Sequence, residues 1–128
     1  MTCPCGCGDA YETCCGLYHS GTETAPTAES LMRSRYCAFV KQEIGYLKNT
    51  TWPAYQKYFD ETGYAERASN SIWLGLSIDD TEDGGVYDIK GTVTFMAKSM
   101  TGGQIHEQRE KSLFKKKQGQ WYYVKAVE

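Results

Sequence analysis

No stretch of the chain approaches the ~18 consecutive apolar residues that a membrane helix requires, so no spanning segment is expected. The opening residues, Met1-Thr2-Cys3-Pro4-Cys5, have neither the basic nor the apolar region of an export signal, and a cytoplasmic location is the expectation. No lysine or arginine precedes Arg33, while Asp9, Glu12, Glu23 and Glu29 do. That end of the molecule should repel phosphate backbones, so nucleic-acid binding is not expected of it. There is no internal repeat and no low-complexity tract. Hydrophobic residues make up 41%, charged residues 23%, and the net charge is -2 over 128 residues. This balance excludes disordered, collagenous and coiled-coil chains and fits one domain with a small appendage.

The cysteines are distributed unevenly. Five of the six lie between Cys3 and Cys15, as Cys3-x-Cys5-x-Cys7, six residues, then Cys14-Cys15, and Cys37 stands apart. Near neighbours in sequence leave little room for disulfide geometry, and a cytosolic compartment disfavours it. Thiolates in two short groups joined by a turn suit a tetrahedral zinc ion. Between the groups lie Gly6 and Gly8, which let a backbone wrap an ion, and one large apolar residue, Tyr11. So little apolar surface cannot fold this segment. A structural metal site can, because it contributes on the order of 10 kcal/mol or more of apparent binding free energy.

Cys3-Pro4-Cys5-Gly6, followed after eight intervening residues by Cys14-Cys15, resembles the SEC-C motif, the zinc knuckle at the tail of the SecA export motor. The resemblance implies Cys3, Cys5, Cys14 and Cys15 as the ligands of one structural Zn²⁺, with Cys15 where the motor uses histidine. The run Cys14-Cys15-Gly16-Leu17-Tyr18-His19-Ser20-Gly21, then Leu31-Met32-Arg33-Ser34-Arg35-Tyr36 and the ending Gly119-Gln120-Trp121-Tyr122-Tyr123-Val124, resembles the YchJ-like family of uncharacterised bacterial proteins. That likeness implies a zinc knuckle over residues 1–21 and an α+β cone similar to nuclear transport factor 2 over residues 27–128. The chain departs from the motif at Cys7, where serine is usual, and at Asp9 and Thr13, where lysines are usual. Four thiolates on Zn²⁺ would add a formal -2 to an already acidic segment, so an acidic export chaperone is not the expected partner.

Periodicity gives the same fold class independently. Thr27 can cap a helix running to about Gln42, with Leu31, Met32, Tyr36, Phe39 and Val40 on one half of the cylinder. Short helices are expected at Ile44 to Thr50 and near Pro53 to Phe59. From Ile72 the period changes to that of strands. Ile72 to Ile78 forms one, Asp79 to Gly85 reads as an acidic turn, and Val86 to Lys98 forms another. In that second strand Tyr87, Ile89, Val93, Phe95 and Ala97 should share a face. Gln104 to Lys117 and Trp121 to Val127 complete an antiparallel meander, so periodicity gives α+β, with N-terminal helices packed on an antiparallel sheet, and the resemblance implies that they form a cystatin-like cone.

Arg35 lies inside the apolar arc of the first long helix. It is expected to pair with a carboxylate, Glu110 being the candidate, to snorkel to solvent, or to bind an anion at the mouth of the cone. Gln104, His106, Gln108, Glu110, Ser112 and Phe114 share one face of the third strand. Facing inward they line a pocket; facing outward they leave Ile105 and Leu113 as the core contacts. The candidate pocket residues are Arg35, Tyr36, Trp52, His106 and Glu110. His19 is within sequence reach of the metal but is expected to pack or to bond a ligand, since four cysteines suffice. Cys37, outside the apolar half of its helix, is expected to be a small packing residue. The basic run Lys115-Lys116-Lys117 is expected to protect a strand edge.

No nucleophile–base pair and no metal–water site is readable. The functional expectation is a binding module that docks a protein partner, with a small-molecule or enzymatic pocket in the cone as the alternative, and a redox-sensing thiol cluster if Cys7 proves reactive.

Overall fold

The structure, a computed structural model, describes residues 2–128. The first long helix, α2 (Ala28–Lys41), begins where the sequence places it. The Thr27 side chain accepts a hydrogen bond from the Ser30 backbone N–H, and the Ser30 hydroxyl bonds back to Thr27, a reciprocal cap that satisfies two orphan donors. The helix ends at Gln42, which takes a left-handed conformation. A short helix α1 (Cys15–His19) precedes it, and α3 (Ile44–Asn49) and a 3₁₀ helix (Pro53–Tyr58) follow.

The helix α4 (Glu61–Asn70) has no counterpart in the sequence-based expectations. Asp60 caps it by accepting from the Gly63 N–H, and Tyr64 stacks between Phe39 and Phe59.

Four antiparallel strands follow in the order β1-β2-β3-β4: β1 (Ile72–Asp83), β2 (Lys90–Thr101), β3 (Gln104–Lys117) and β4 (Gln120–Ala126). Antiparallel order with short turns is what a meander of this spacing dictates. Beyond β4, the backbone of Thr50–Trp52 runs parallel to it, with Trp52 N–H donating to the Tyr123 carbonyl at 2.8 Å and Tyr123 N–H to the Thr50 carbonyl at 2.8 Å. This segment covers an otherwise open sheet edge.

Two expectations about β1 and β2 are corrected. The acidic run does not turn at Asp79 but continues the strand to Asp83, and the turn comes at residues 84–89. The reason is tertiary: Asp79 pairs with Arg109 at 3.5 Å and Glu82 with Lys111 at 3.1 Å, both reaching across β2 from the outer face of β3. The chain breaks at Gly84, where a positive φ of 79° and the Ala28 Cβ, 2.7 Å from where a Cβ would sit, leave no room for a side chain. In consequence Tyr87 and Ile89 are not on the face of Val93, Phe95 and Ala97. Those three are buried, whereas Tyr87 lies in the turn, 99% exposed.

The C-terminal half of the polar face of β3 turns inward, while Gln104, His106 and Gln108 stay exposed. Ser112 and Phe114 are buried and Glu110 is half-buried, while Ile105 is exposed. The cone's core lies between α2 and this sheet, built from Leu31, Met32, Tyr36, Val93, Phe95, Phe114 and Trp121. Trp121 fixes the entry to α2 by donating its indole N–H to the Pro26 carbonyl at 3.0 Å. A second, separate cluster consists of Cys3, Cys5, Cys15 and Cys37, with Tyr11 and Cys14 against it.

Candidate functional site

Residues 2–19 fold into a knot of turns. Cys3 N–H donates to the Asp9 carbonyl at 2.8 Å, which brings Thr2 beside Ala10 and closes the first loop. Gly6 and Gly8 make its bends with φ of 84° and 88°, values an L side chain rarely adopts. A 3₁₀ turn (Tyr11–Thr13) then delivers Cys14, and Cys15 opens α1. Gly16 is required for close packing, because a Cβ there would sit 2.7 Å from the Tyr11 carbonyl oxygen.

The result is that the sulfurs of Cys3, Cys5, Cys14 and Cys15 all lie within 4.8 Å of one another. Cys5 and Cys14 are 3.7 Å apart and Cys14 and Cys15 4.0 Å. A tetrahedron with metal–sulfur bonds of ~2.3 Å has edges of roughly 3.8 Å, so this cluster could hold one metal ion. Without a cation the thiols compete for protons. The Cys15 thiol donates to Cys5 and holds it down at about 4, against its burial. Burial pushes Cys3 and Cys14 up, and the hydrogen bond with Cys37, then that with Cys5, pushes Cys15 up. Loading the cage therefore displaces protons.

The cage is seated on α2 through one helical face, positions 33, 34, 37 and 41. Arg33 Nη1 donates to the Cys5 carbonyl at 2.7 Å while its Nε pairs with Glu29 at 3.0 Å. The Ser34 carbonyl accepts from His19 Nε2 at 2.8 Å, and Lys41 lies over the Tyr11 ring at 4.6 Å. Cys37, fully buried, places its sulfur 3.8 Å from that of Cys3. It packs, as expected, but against the cage rather than the cone, and helical periodicity alone gives no sign of what covers that face. The Tyr11 hydroxyl, pushed up to about 12 chiefly by burial, remains a donor to His19 Nδ1 at 2.8 Å. Both ring nitrogens of His19 are thereby used, and the imidazole is held neutral with Nε2 protonated. Cys7 is exposed, its sulfur 3.0 Å from that of Cys14.

On its opposite side α2 contributes to a cavity of about 90 Å³ enclosed with α4 and the inner face of the sheet. Arg35, Tyr36 and Glu110 line it; Trp52 and His106 do not. Trp52 packs edge-on against Tyr122 at the β4 edge, with Lys115 and Lys117 over its ring, and His106 is exposed opposite Ser99. Their displacement has a simple cause. The Trp52 backbone is pinned to β4, and β3 leaves the core before it reaches His106.

The expected Arg35–carboxylate pair is not formed among the described residues. Arg35 is 5% exposed, and its Nη1 donates to the Leu47 carbonyl at 2.8 Å and the Thr50 hydroxyl at 2.7 Å. Its guanidinium lies over the Tyr123 ring at 4.7 Å. Sequence reasoning missed Trp73 and Tyr64 on the cavity wall. Trp73 is, with Leu76 and Ile78, one of the partly buried β1 residues packed on the core, and the apolar run over residues 72–78 made it legible as a core aromatic; Tyr64 depends on α4.

Comparison with known proteins decides the family. The model of the YchJ middle NTF2-like domain matches residues 27–126. The chain belongs to the YchJ-like family. A UPF0225 protein of Streptomyces coelicolor is 46% identical over 122 residues, covering 95% of this chain and 91% of that one. The solution structure of a SEC-C motif containing protein from Rhodopseudomonas palustris superposes with a TM-score of 0.90 at 34% identity, over 98% of this chain and 97% of that one. The crystal structure of a SEC-C motif containing protein from Psychrobacter arcticus gives 0.84 at 30%, covering 95% and 79%. The fold is thus the family's: helices on a four-stranded antiparallel sheet of NTF2-like type, with a cysteine cluster at the N-terminus. No helix among the described residues is long and apolar enough to cross a membrane.

Proposed function

We propose that this YchJ-like chain is a zinc-dependent binding module whose metal is structural and whose task is to dock a protein partner. The observation that carries the reading is the closed set of four thiols, three of them buried. Four thiolates occupy every position of a tetrahedral ion, which leaves none for water or substrate. Cys3, Cys5, Cys14 and Cys15 would hold the Zn²⁺, and when bound the ion would supply cross-linking rather than Lewis-acid chemistry. His19, Tyr11 and Arg33 orient the cage by fastening it to α2, and Cys37 screens its inner side. Six cysteines without a disulfide suit the reducing cytoplasm. The exposed apolar residues Val86, Tyr87 and Ile89 in the β1–β2 turn supply a surface for a partner.

The test is the metal content of the native protein with alkylation mapping. One zinc per chain, with Cys7 alkylated and the four cage thiols protected, is the expected result. A metal that admits an exogenous ligand such as cyanide would overturn the structural assignment. A second reading, a small-molecule site in the cone, is favoured by the cavity beneath Arg35.

A further inference from the structure

Within the cavity, hydrogen-bond donors outnumber acceptors that are free to take them. The Glu110 carboxylate is already served. Ser112 donates to its Oε2 at 2.5 Å and Tyr123 at 3.5 Å, and Gln108 Nε2 donates to Oε1 at 3.3 Å. Gln108 Oε1 in turn accepts from Arg67 Nη2 at 3.2 Å, so the acceptors at the mouth are spoken for.

The donors are not. Trp73 Nε1 is buried and has no partner, the one such side-chain atom among the described residues. Buried polar groups are nearly always paired, so an orphan of this kind asks for an explanation. Arg35 is buried and makes no salt bridge among the described residues, with Glu110 acting on it across the cavity, and both its hydrogen bonds leave from Nη1, so Nε and Nη2 make none among the described residues. Arg35 and Trp73 line the same cavity, and Arg67 stands at its rim. The charges of Arg35, Arg67 and Glu110 sum to a surplus of one positive charge.

The remaining walls are aromatic. Trp73 meets Tyr36 edge-on at 6.0 Å and Phe39 at 5.4 Å, with Phe95 below. A cavity of about 90 Å³ is smaller than the ~150 Å³ that admits a benzene ring, which limits an occupant to a handful of heavy atoms. The occupant must therefore bring a pair of acceptors, negative charge and a short apolar body.

We propose that this cavity binds a small monocarboxylate, its oxygens taken by Arg35 and the Trp73 indole N–H and its short chain lying against Tyr36, Phe39 and Phe95. The proposal rests on the second reading above, that the cone is a small-molecule site. Glu110 opposes the anion from the mouth and excludes dicarboxylates by like charge.

The experiment is an NMR titration of the metal-loaded full chain with ¹⁵N-labelled indoles, using acetate, propionate and butyrate against propylamine and propanol. The Trp73 indole N–H should shift saturably with propionate or butyrate, with half-saturation below about 10 mM. The Trp121 indole, already bonded to the Pro26 carbonyl, should not move. Glu110→Gln should tighten propionate several-fold by removing the opposing charge. Trp73→Phe, which keeps the ring and deletes the donor, should weaken it several-fold with little change in melting temperature. Saturable binding of propylamine in place of the acids, lost in Glu110→Gln, would overturn the carboxylate and leave the cone a ligand site. No shift with any probe would overturn both.

Discussion

The knuckle and the cone are stabilised in opposite ways. Residues 2–19 gather around sulfur: Cys3, Cys5 and Cys15 are their buried side chains, and Tyr11 is the one large apolar residue among those packed on them. The cone gathers around Phe114, Leu31, Val93, Trp121 and their neighbours, an apolar core between the sheet and its helices. The boundary between the two is α2, which shows Leu31, Met32, Arg35 and Tyr36 to the cone and Arg33, Ser34, Cys37 and Lys41 to the knuckle. A short, glycine-rich acidic segment thus gathers four thiols that could hold one metal ion and takes a fixed place from one helix face.

Removing the metal ligand set should produce the largest effect. Cys5→Ser, or exhaustive chelation, should cost the knuckle on the order of 10 kcal/mol of apparent binding free energy. Amide exchange should then become unprotected in residues 2–20 and stay protected at Val93, Phe95 and Phe114. Collapse of both regions together would break the comparison. The reciprocal change, Phe114→Ala, should destabilise the cone by about 3–5 kcal/mol, read from the denaturant midpoint, because a fully buried ring leaves a cavity.

A smaller effect comes from His19. Burial lowers its pKa below the ordinary 6.5, against the opposing pull of the Ser34 carbonyl. The unfolded chain therefore takes up a proton before the folded one does, and folding stability contributed by neutral His19 is present above about pH 6.5 and lost as pH falls through that region. Protonation would also set Nδ1–H against the Tyr11 hydroxyl. Denaturation curves between pH 7.5 and 5.5 should show the loss, and His19→Gln should flatten it.

Cys37→Ala should lower stability by about 1 kcal/mol and speed metal release to a colorimetric chelator several-fold, since it opens space beside Cys3. Cys7→Ser should change least of all, leaving metal stoichiometry and melting temperature as they are, because Cys7 is exposed and outside the four-thiol group.

Much of this division was legible in the sequence, for local reasons. Thr27 announces α2 by its own side chain, whereas the return bond from Ser30 appears only in the structure, and Gly102-Gly103 and Gly119 bound β3 with turn chemistry. The cysteine spacing brought four thiols into view before any coordinates did. What was not legible depends on distant partners. The acidic run of β1 looks like a turn until Arg109 and Lys111 reach it across β2. Tyr64 and Ala68 hint at α4, but Gly63 sits within that segment, and its first-turn support is the Asp60 cap. Arg35 was readable as a buried charge, yet its partners are a carbonyl, a hydroxyl and a ring, none of which a charge pattern marks. The companionship of Cys37 with the cage belongs to the same class, because a helix face shows direction without naming its cover.

The most direct test of the central claim is native mass spectrometry coupled to hydrogen exchange, before and after chelation. One zinc per chain, whose removal unprotects residues 2–20 and leaves the cone's strands protected, is the result the account predicts. A chain that carries no metal and still protects the knuckle would contradict it.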